Sequence, residues 1–209
     1  MSESDPEAKY SKTELLIAVI ARMLDGLGHV AVGASSPIPG AAALLARARA
    51  EDIDGQANVN LVGLGDYPEL DVRFPGTYGS AYLYFLVPRV ILFRQEHSRR
   101  VMVPKVDFIS APGVSPPGLY RPGGPHALVT ERCVFSFDRA AARFCLESVH
   151  AGESAESVHD NTGFDFDCPA KVPQTPPPSP EILALIRGVV GADIAEVYPK
   201  FARQVLGID

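Results

Sequence analysis

Apolar residues recur at helical spacing between Thr13 and Leu24, where Leu15, Leu16, Val19, Ile20, Met23 and Leu24 share one side of the turn. Thr13 is the predicted cap of this helix and Gly26 its predicted stop. Residues 29–32 are a short apolar run, read as a buried strand, and Ala41–Ala50 is an alanine-rich helix, so the chain opens as αβα. Strand-like runs follow at Asn58–Leu64, Val90–Phe93 and Lys105–Ile109. In the last of these, Val106 and Phe108 alternate with Lys105 and Asp107, as on a half-buried strand. Ala127–Thr130, Cys133–Asp138 and Arg143–Val149 predict an antiparallel meander, with residues 138–142 as a hairpin turn. Ser154–His159 reads as a short helix, and Glu181–Val190 and Ile194–Leu206 as terminal helices. The connections are a glycine-rich stretch from Gly65 to Ala81, a Pro- and Gly-dense loop over Ala111–Pro125, and a stiff tether at Pro173–Pro180. There is no internal repeat.

Composition fits an ordinary globular core: 209 residues, 46% hydrophobic and 21% charged. The expected organisation is a disordered leader over residues 1–11, a single α/β domain over 12–190 and a C-terminal helix over 191–209. No apolar run reaches the roughly 18 residues that a membrane helix needs, so no membrane partner is expected. The acidic, polar start Met1-Ser2-Glu3-Ser4-Asp5 does not read as a secretory signal. A net charge of −6 argues against nucleic acid as the main partner, although local basic groups remain for a nucleotide. Cys133, Cys145 and Cys168 have no metal-ligand spacing, and their odd count does not suggest a disulfide framework. Cytoplasmic residence is therefore expected.

The candidate chemistry starts at Val30–Pro39, which passes into Gly40-Ala41-Ala42-Ala43-Leu44-Leu45-Ala46-Arg47. An apolar stretch ends at Gly33, then Ser35, Ser36 and two prolines lead into a helix. Unpaired N–H groups and the positive dipole end make a helix start of this kind a site for phosphate or carboxylate. The same pattern also serves plain βα packing. Gly76 and Gly79, followed by Ser80 and Ala81, let a ligand approach the backbone closely or make a tight turn ahead of a buried helix. Asn58 and Asn60 flank a strand end, where their amides can hold a polar ligand group such as a carboxylate, or cap a turn.

Taken in order, these stretches resemble the β subunit of family I CoA-transferases, the glutaconate CoA-transferase type. The matching words are Gly33-Ala34-Ser35-Ser36-Pro37-Ile38-Pro39, Asn58-Val59-Asn60, Gly65-Asp66-Tyr67, Arg73–Ala81, Glu96–Arg100, Lys105–Gly113 and Asn161–Asp165. They extend from about Thr13 to Val190. The resemblance implies an α/β fold with an open, mostly parallel sheet of the CoA-transferase and sugar-phosphate isomerase (NagB/RpiA-like) type, ending in an antiparallel meander. It implies an α-subunit partner in an α2β2-type hetero-oligomer, and an acyl-CoA thioester as substrate with no other cofactor. The CoA-binding residues it implies are Gly33, Ser35, Ser36, Asn58, Asn60, Gly76, Gly79, Ser80 and Ala81.

One departure bears on activity. In the active relatives a catalytic glutamate stands in a Glu-Ser-Gly or Glu-Asn-Gly context after the alanine-rich helix. Here Arg49–Gly55 passes almost directly to Asn58, and neither triplet occurs in the chain. The segment reads as deleted, which leaves the catalytic residue unknown. Glu51 and Glu69 are poor replacements, one at a helix end and one solvated. Glu96, with His97, Arg99 and Arg100, reads as a surface ion network, or as a contact for CoA phosphates or the partner. His126, His150 and His159 lack triad support, and Cys133 and Cys145 read as core thiols. The expected function is a CoA-transferase β subunit whose carboxylate is absent or supplied by the α subunit. The alternatives are an acyl-CoA hydrolase or decarboxylase subunit, a non-catalytic binding subunit, and a truncated gene product.

Overall fold

Helix α1 (Lys12–Leu24) begins ahead of Thr13 because Ser11 supplies a complete capping box. The Ser11 hydroxyl accepts from the Glu14 N–H at 3.2 Å, and the Glu14 carboxylate accepts from the Ser11 N–H at 2.7 Å. The computed structural model describes residues 9–26, 52–74, 76 and 79–208. The predicted strand over 29–32 and helix over 41–50 lie outside them, as do Gly33, Ser35 and Ser36. The chain divides into two compact units, Met1–Ala48 with Pro176–Asp209, and Arg49–Thr175. The boundary between Thr175 and Pro176 falls inside the proline-rich tether.

In the first unit, Thr13–Ile20 are all buried, so α1 is covered on every side rather than along one stripe. It is joined by α4 (Pro180–Arg187), α5 (Val189–Val197), the single turn α6 (Pro199–Phe201) and a π-turn at Ala202–Leu206. The sequence reads two terminal helices here; Gly188 and Pro199 divide the second half into shorter pieces. Burial alone would raise the Glu14 pKa, but the Arg187 guanidinium bonded to it brings the carboxyl below its usual range.

The second unit is built on a four-stranded sheet in the order β5 (Val90–Arg94), β6 (Pro125–Thr130), β7 (Cys133–Asp138), β8 (Arg143–Val149). Strands β5 and β6 pair in parallel; β6, β7 and β8 form the predicted antiparallel meander. The hairpin turn forms because Asp138 accepts from the Ala140 and Ala141 N–H groups at 2.8 and 3.0 Å, and Ala142 takes a left-handed φ of 54°. Alternation sends Phe135, Phe137, Phe144 and Leu146 to one face. Phe164 and Phe166 complete an aromatic cluster there, with ring centroids 4.9–6.4 Å apart. Helix α3 (Ala155–Asn161) is capped by Ser154 and contributes Val158 to the same core.

The stretch before the sheet is less regular than its sequence suggests. The run Asn58–Leu64 divides into β2 (Val59–Asn60), which pairs with β1 (Asp52–Ile53), and β3 (Gly63–Leu64), which pairs with β4 (Val72–Arg73). Helix α2 (Ser80–Leu86) follows the glycine loop. Lys105–Ile109 is not a strand. Val106 is buried, but Asp107 turns outward to accept the Gly65 N–H at 2.8 Å, and among the described residues no neighbouring strand offers the segment a ladder.

Candidate functional site

Asn58 and Asn60, two of the residues proposed for ligand binding, build with their own side chains the turns they sit in. Asn60 is fully buried: its carbonyl oxygen accepts from the Val62 and Gly63 N–H groups at 3.0 and 3.2 Å, and its amide donates to the Gly63 carbonyl at 2.6 Å. These three bonds turn the chain and explain why the strand breaks there. Asn58 is held by Asp54, whose carboxylate accepts from the Gln56 and Asn58 N–H groups and from the Asn58 side-chain amide. Its carbonyl oxygen accepts the Gly113 N–H at 3.1 Å, 55 positions along the chain. Gly113 has no room for a side chain, since a Cβ there would lie 2.0 Å from the Gln56 carbonyl. Both asparagines therefore cap turns, with each amide already engaged inside the protein.

The glycine loop runs beside this turn. Phe74 and Gly76 donate their N–H groups to the Val62 and Leu61 carbonyls at 2.9 and 3.1 Å, so Asn60 and Gly76 are brought together. Gly76 has φ +106°, and among the described residues, chain neighbours aside, no atom lies within 4 Å of where a Cβ would stand on Gly76 or Gly79. Gly79 opens α2, Ser80 is exposed and Ala81 packs on the core. The first backbone bond of this helix runs from the Leu83 N–H to the Gly79 carbonyl, and α2 has no side-chain N-cap. Its first-turn N–H groups thus have no partner within the helix. Tyr84, one turn on, donates its hydroxyl to the Ala57 carbonyl at 2.7 Å and ties α2 to the Asn58 turn.

Charged groups gather around Asp52 at the other end of this region. The Asp52 carboxyl is pushed up to about 6, first by burial and then by the Asp107 carboxylate, while Arg94 and Arg100 pull it back. Glu96 pairs with Arg100, accepts the Ser98 hydroxyl at 2.7 Å and lies 3.8 Å from Arg94. Burial would raise the Glu96 pKa; its Ser98 and Arg100 bonds bring it below the usual range. Arg99 donates instead to the Asp160 carbonyl at 2.8 Å.

His97 does not belong to that surface network. It is buried, with Nδ1 2.8 Å from the Thr130 hydroxyl and Nε2 3.0 Å from the Thr162 hydroxyl. Thr162 already donates to the Val158 carbonyl at 2.7 Å, so His97 donates from Nε2 and accepts at Nδ1. His150 is bound in the same way: Nε2 donates to the Thr130 carbonyl and Nδ1 accepts from Thr175, which accepts from Ser148. The two histidines meet at Thr130 and have no free nitrogen for general-base work. Burial holds the Cys133 thiol up at about 12, so it is a core thiol. Cys145, half-buried, is raised as well, again by burial first. Among the described residues no group of three or more His, Cys, Asp or Glu could hold a metal ion. No described helix is long and apolar enough to cross a membrane.

Two residues outside the expected set join these parts: Tyr84 and Arg121. The signal for Arg121 was a lone arginine inside a Pro- and Gly-dense loop.

No family model matches the chain. Among curated proteins it is 33% identical over 142 residues to the β subunit of glutaconate CoA-transferase from Acidaminococcus fermentans, covering 65% of this chain and 52% of the relative. It is 30% identical over 146 residues to the β subunit of 3-oxoadipate CoA-transferase from Pseudomonas knackmussii, covering 67% and 56%. It is also 30% identical over 145 residues to the IpdB subunit of the cholesterol ring-cleaving hydrolase from Rhodococcus jostii, covering 68% and 57%. The chain thus spans about half the length of the curated relatives it matches. Among solved structures it resembles glutaconate CoA-transferase from A. fermentans, with a TM-score of 0.73 at 22% identity over 86% of this chain and 94% of that one. It resembles the decarboxylase AibA/AibB, with a TM-score of 0.71 at 21% identity over 87% and 98%. At 33% and 30% identity over about two thirds of its length, and with the fold of glutaconate CoA-transferase, this chain is a homologue of CoA-transferase B subunits.

Proposed function

We propose that this chain is the β-type subunit of a two-chain CoA-transferase-like enzyme acting on the CoA thioester of a carboxylic or dicarboxylic acid. The observation that carries the reading is that a chain 33% and 30% identical to two CoA-transferase B subunits places Gly76 and Gly79, whose Cβ positions are open among the described residues, ahead of a helix without a side-chain N-cap. Backbone N–H groups at such a start suit CoA and the oxyanion of a thioester adduct. Gly33, Ser35, Ser36, Gly76, Gly79, Ser80 and Ala81 are the proposed CoA contacts. Asn58 and Asn60 support that loop through the turns they cap. Coenzyme A thioester is the substrate, and no further cofactor is proposed.

Transfer needs a carboxylate nucleophile. It attacks the thioester carbonyl, CoA thiolate leaves, and the resulting acyl anhydride is opened by that thiolate to give an enzyme thioester and the free acid. The chain has no Glu-Ser-Gly or Glu-Asn-Gly. The carboxylate is therefore assigned to an α subunit, in a cytoplasmic α2β2-type assembly. The same absence favours a second reading, a hydrolase or decarboxylase subunit, as in two of the similar proteins. Calorimetry with acetyl-CoA on the co-purified pair tests the site, and no binding overturns the proposal. Product analysis with an acceptor acid separates transfer from hydrolysis.

A further inference from the structure

Among the described residues, the hydrogen bonds that hold the backbone of helix α2 from outside fall at its C-terminal end. Its last carbonyls are orphans of the helical ladder, and one segment, Arg121–Gly124, satisfies them. Arg121 Nη2 donates to the Tyr84 carbonyl at 2.8 Å, Gly123 N–H to Phe85 at 2.9 Å, and Gly124 N–H to Val87 at 3.0 Å. Arg121 fixes its own segment too, donating from Nε to the Gly123 carbonyl at 2.8 Å and from Nη1 to Pro112 at 2.7 Å. Its guanidinium also lies 5.3 and 5.6 Å from the ring centres of Tyr84 and Phe85. The approach is tight, since a Cβ on Gly123 would stand 2.2 Å from the Val87 carbonyl. The cation also stands at the negative end of the helix dipole. At the opposite end α2 has no side-chain cap, and Tyr82 and Leu83 face solvent.

We propose that Arg121 is a positioning residue: by capping α2 at its C-terminal end it fixes where the first turn of α2, with Gly79 at its start, stands. A guanidinium is required because only its fork reaches three carbonyls from two segments and a helix end at once. That the positioned first turn receives CoA rests on the functional reading above; that Arg121 holds α2 does not.

The test compares the full chain with Arg121→Ala and Arg121→Lys. Hydrogen exchange is followed in the peptides over residues 79–86 and over β7–β8, and free coenzyme A is titrated by calorimetry. Exchange over 79–86 is expected to rise about tenfold in Arg121→Ala with β7–β8 unchanged, because local opening needs only the cap to be lost. Arg121→Lys, which keeps the charge but reaches one carbonyl, is expected to fall between. Where wild type binds coenzyme A, Arg121→Ala is expected to weaken binding about tenfold and Arg121→Lys less. Unchanged exchange over 79–86, or equal loosening of β7–β8, overturns the proposal. Local loosening in a chain that binds no coenzyme A supports the positioning role and counts against the CoA reading alone.

Discussion

Acid should weaken the second unit through His97, and the size of the effect follows from its surroundings. The ring is buried, donates from Nε2 and accepts at Nδ1 from Thr130. A second proton would displace the Thr130 hydroxyl and place a charge where water does not reach. Burial first, and then the nearby Arg132 charge, lower the folded pKa from 6.5 to about 4. Between those values the unfolded chain binds the proton and the folded chain does not. The His97 contribution is therefore complete above pH 6.5 and lost as pH falls toward 4. Linkage over those two values gives a loss of about 2 kcal/mol by pH 5 and about 3 kcal/mol by pH 4. Asp52 runs the other way. Its folded pKa stands above 3.8, at about 6, so its share is present below 3.8 and lost as pH rises through 6. Acidification to pH 5 thus returns about 1 kcal/mol through Asp52. The wild-type profile alone mixes the two. Urea unfolding at pH 7 and pH 5, followed by circular dichroism, should be run on wild type and His97→Gln, which lacks the titrating ring. The stability advantage of wild type should shrink by about 2 kcal/mol between the two pH values. An advantage that stays constant would refute the argument.

Three further outcomes are expected. Asn60→Ala removes three bonds of a fully buried amide and leaves two N–H groups unsatisfied, so thermal melting should show a loss of about 2–4 kcal/mol; a loss under about 0.5 kcal/mol would deny the turn its role. Gly113→Ala forces a Cβ into the Gln56 carbonyl and should cost about 1–3 kcal/mol, whereas Gly79→Ala enters open space at a φ of −100° and should cost little. Equal melting temperatures for the two would contradict that packing. In the native chain, Ellman's reagent should modify exposed Cys168 readily and leave buried Cys133 untouched until denaturant is added; rapid reaction at Cys133 would mean that its burial is wrong.

The chain's own order of residues determined the features that rest on near neighbours. The helix at α1, the meander Ala127–Val149 with its Asp138 turn, and the Ser154 helix start form within a residue or two of where the sequence predicts them, because each is set mainly by partners near in the chain. The motif words carried the resemblance for a similar reason: each is a contiguous stretch of the chain. Only the tertiary structure decided what distant residues do. Lys105–Ile109 alternates like a strand but lacks a described neighbour to pair with, and a ladder needs two chains. Asn58 reads as a ligand contact until Gly113 is seen on its amide, and His97 reads as part of a charged turn until Thr130 and Thr162 enclose it. Arg121 has one partner close by in sequence, Gly123, and that contact does not mark it. Its carbonyls come from Tyr84, Pro112 and Gly123, and only the packed chain brings those acceptors within reach of one guanidinium.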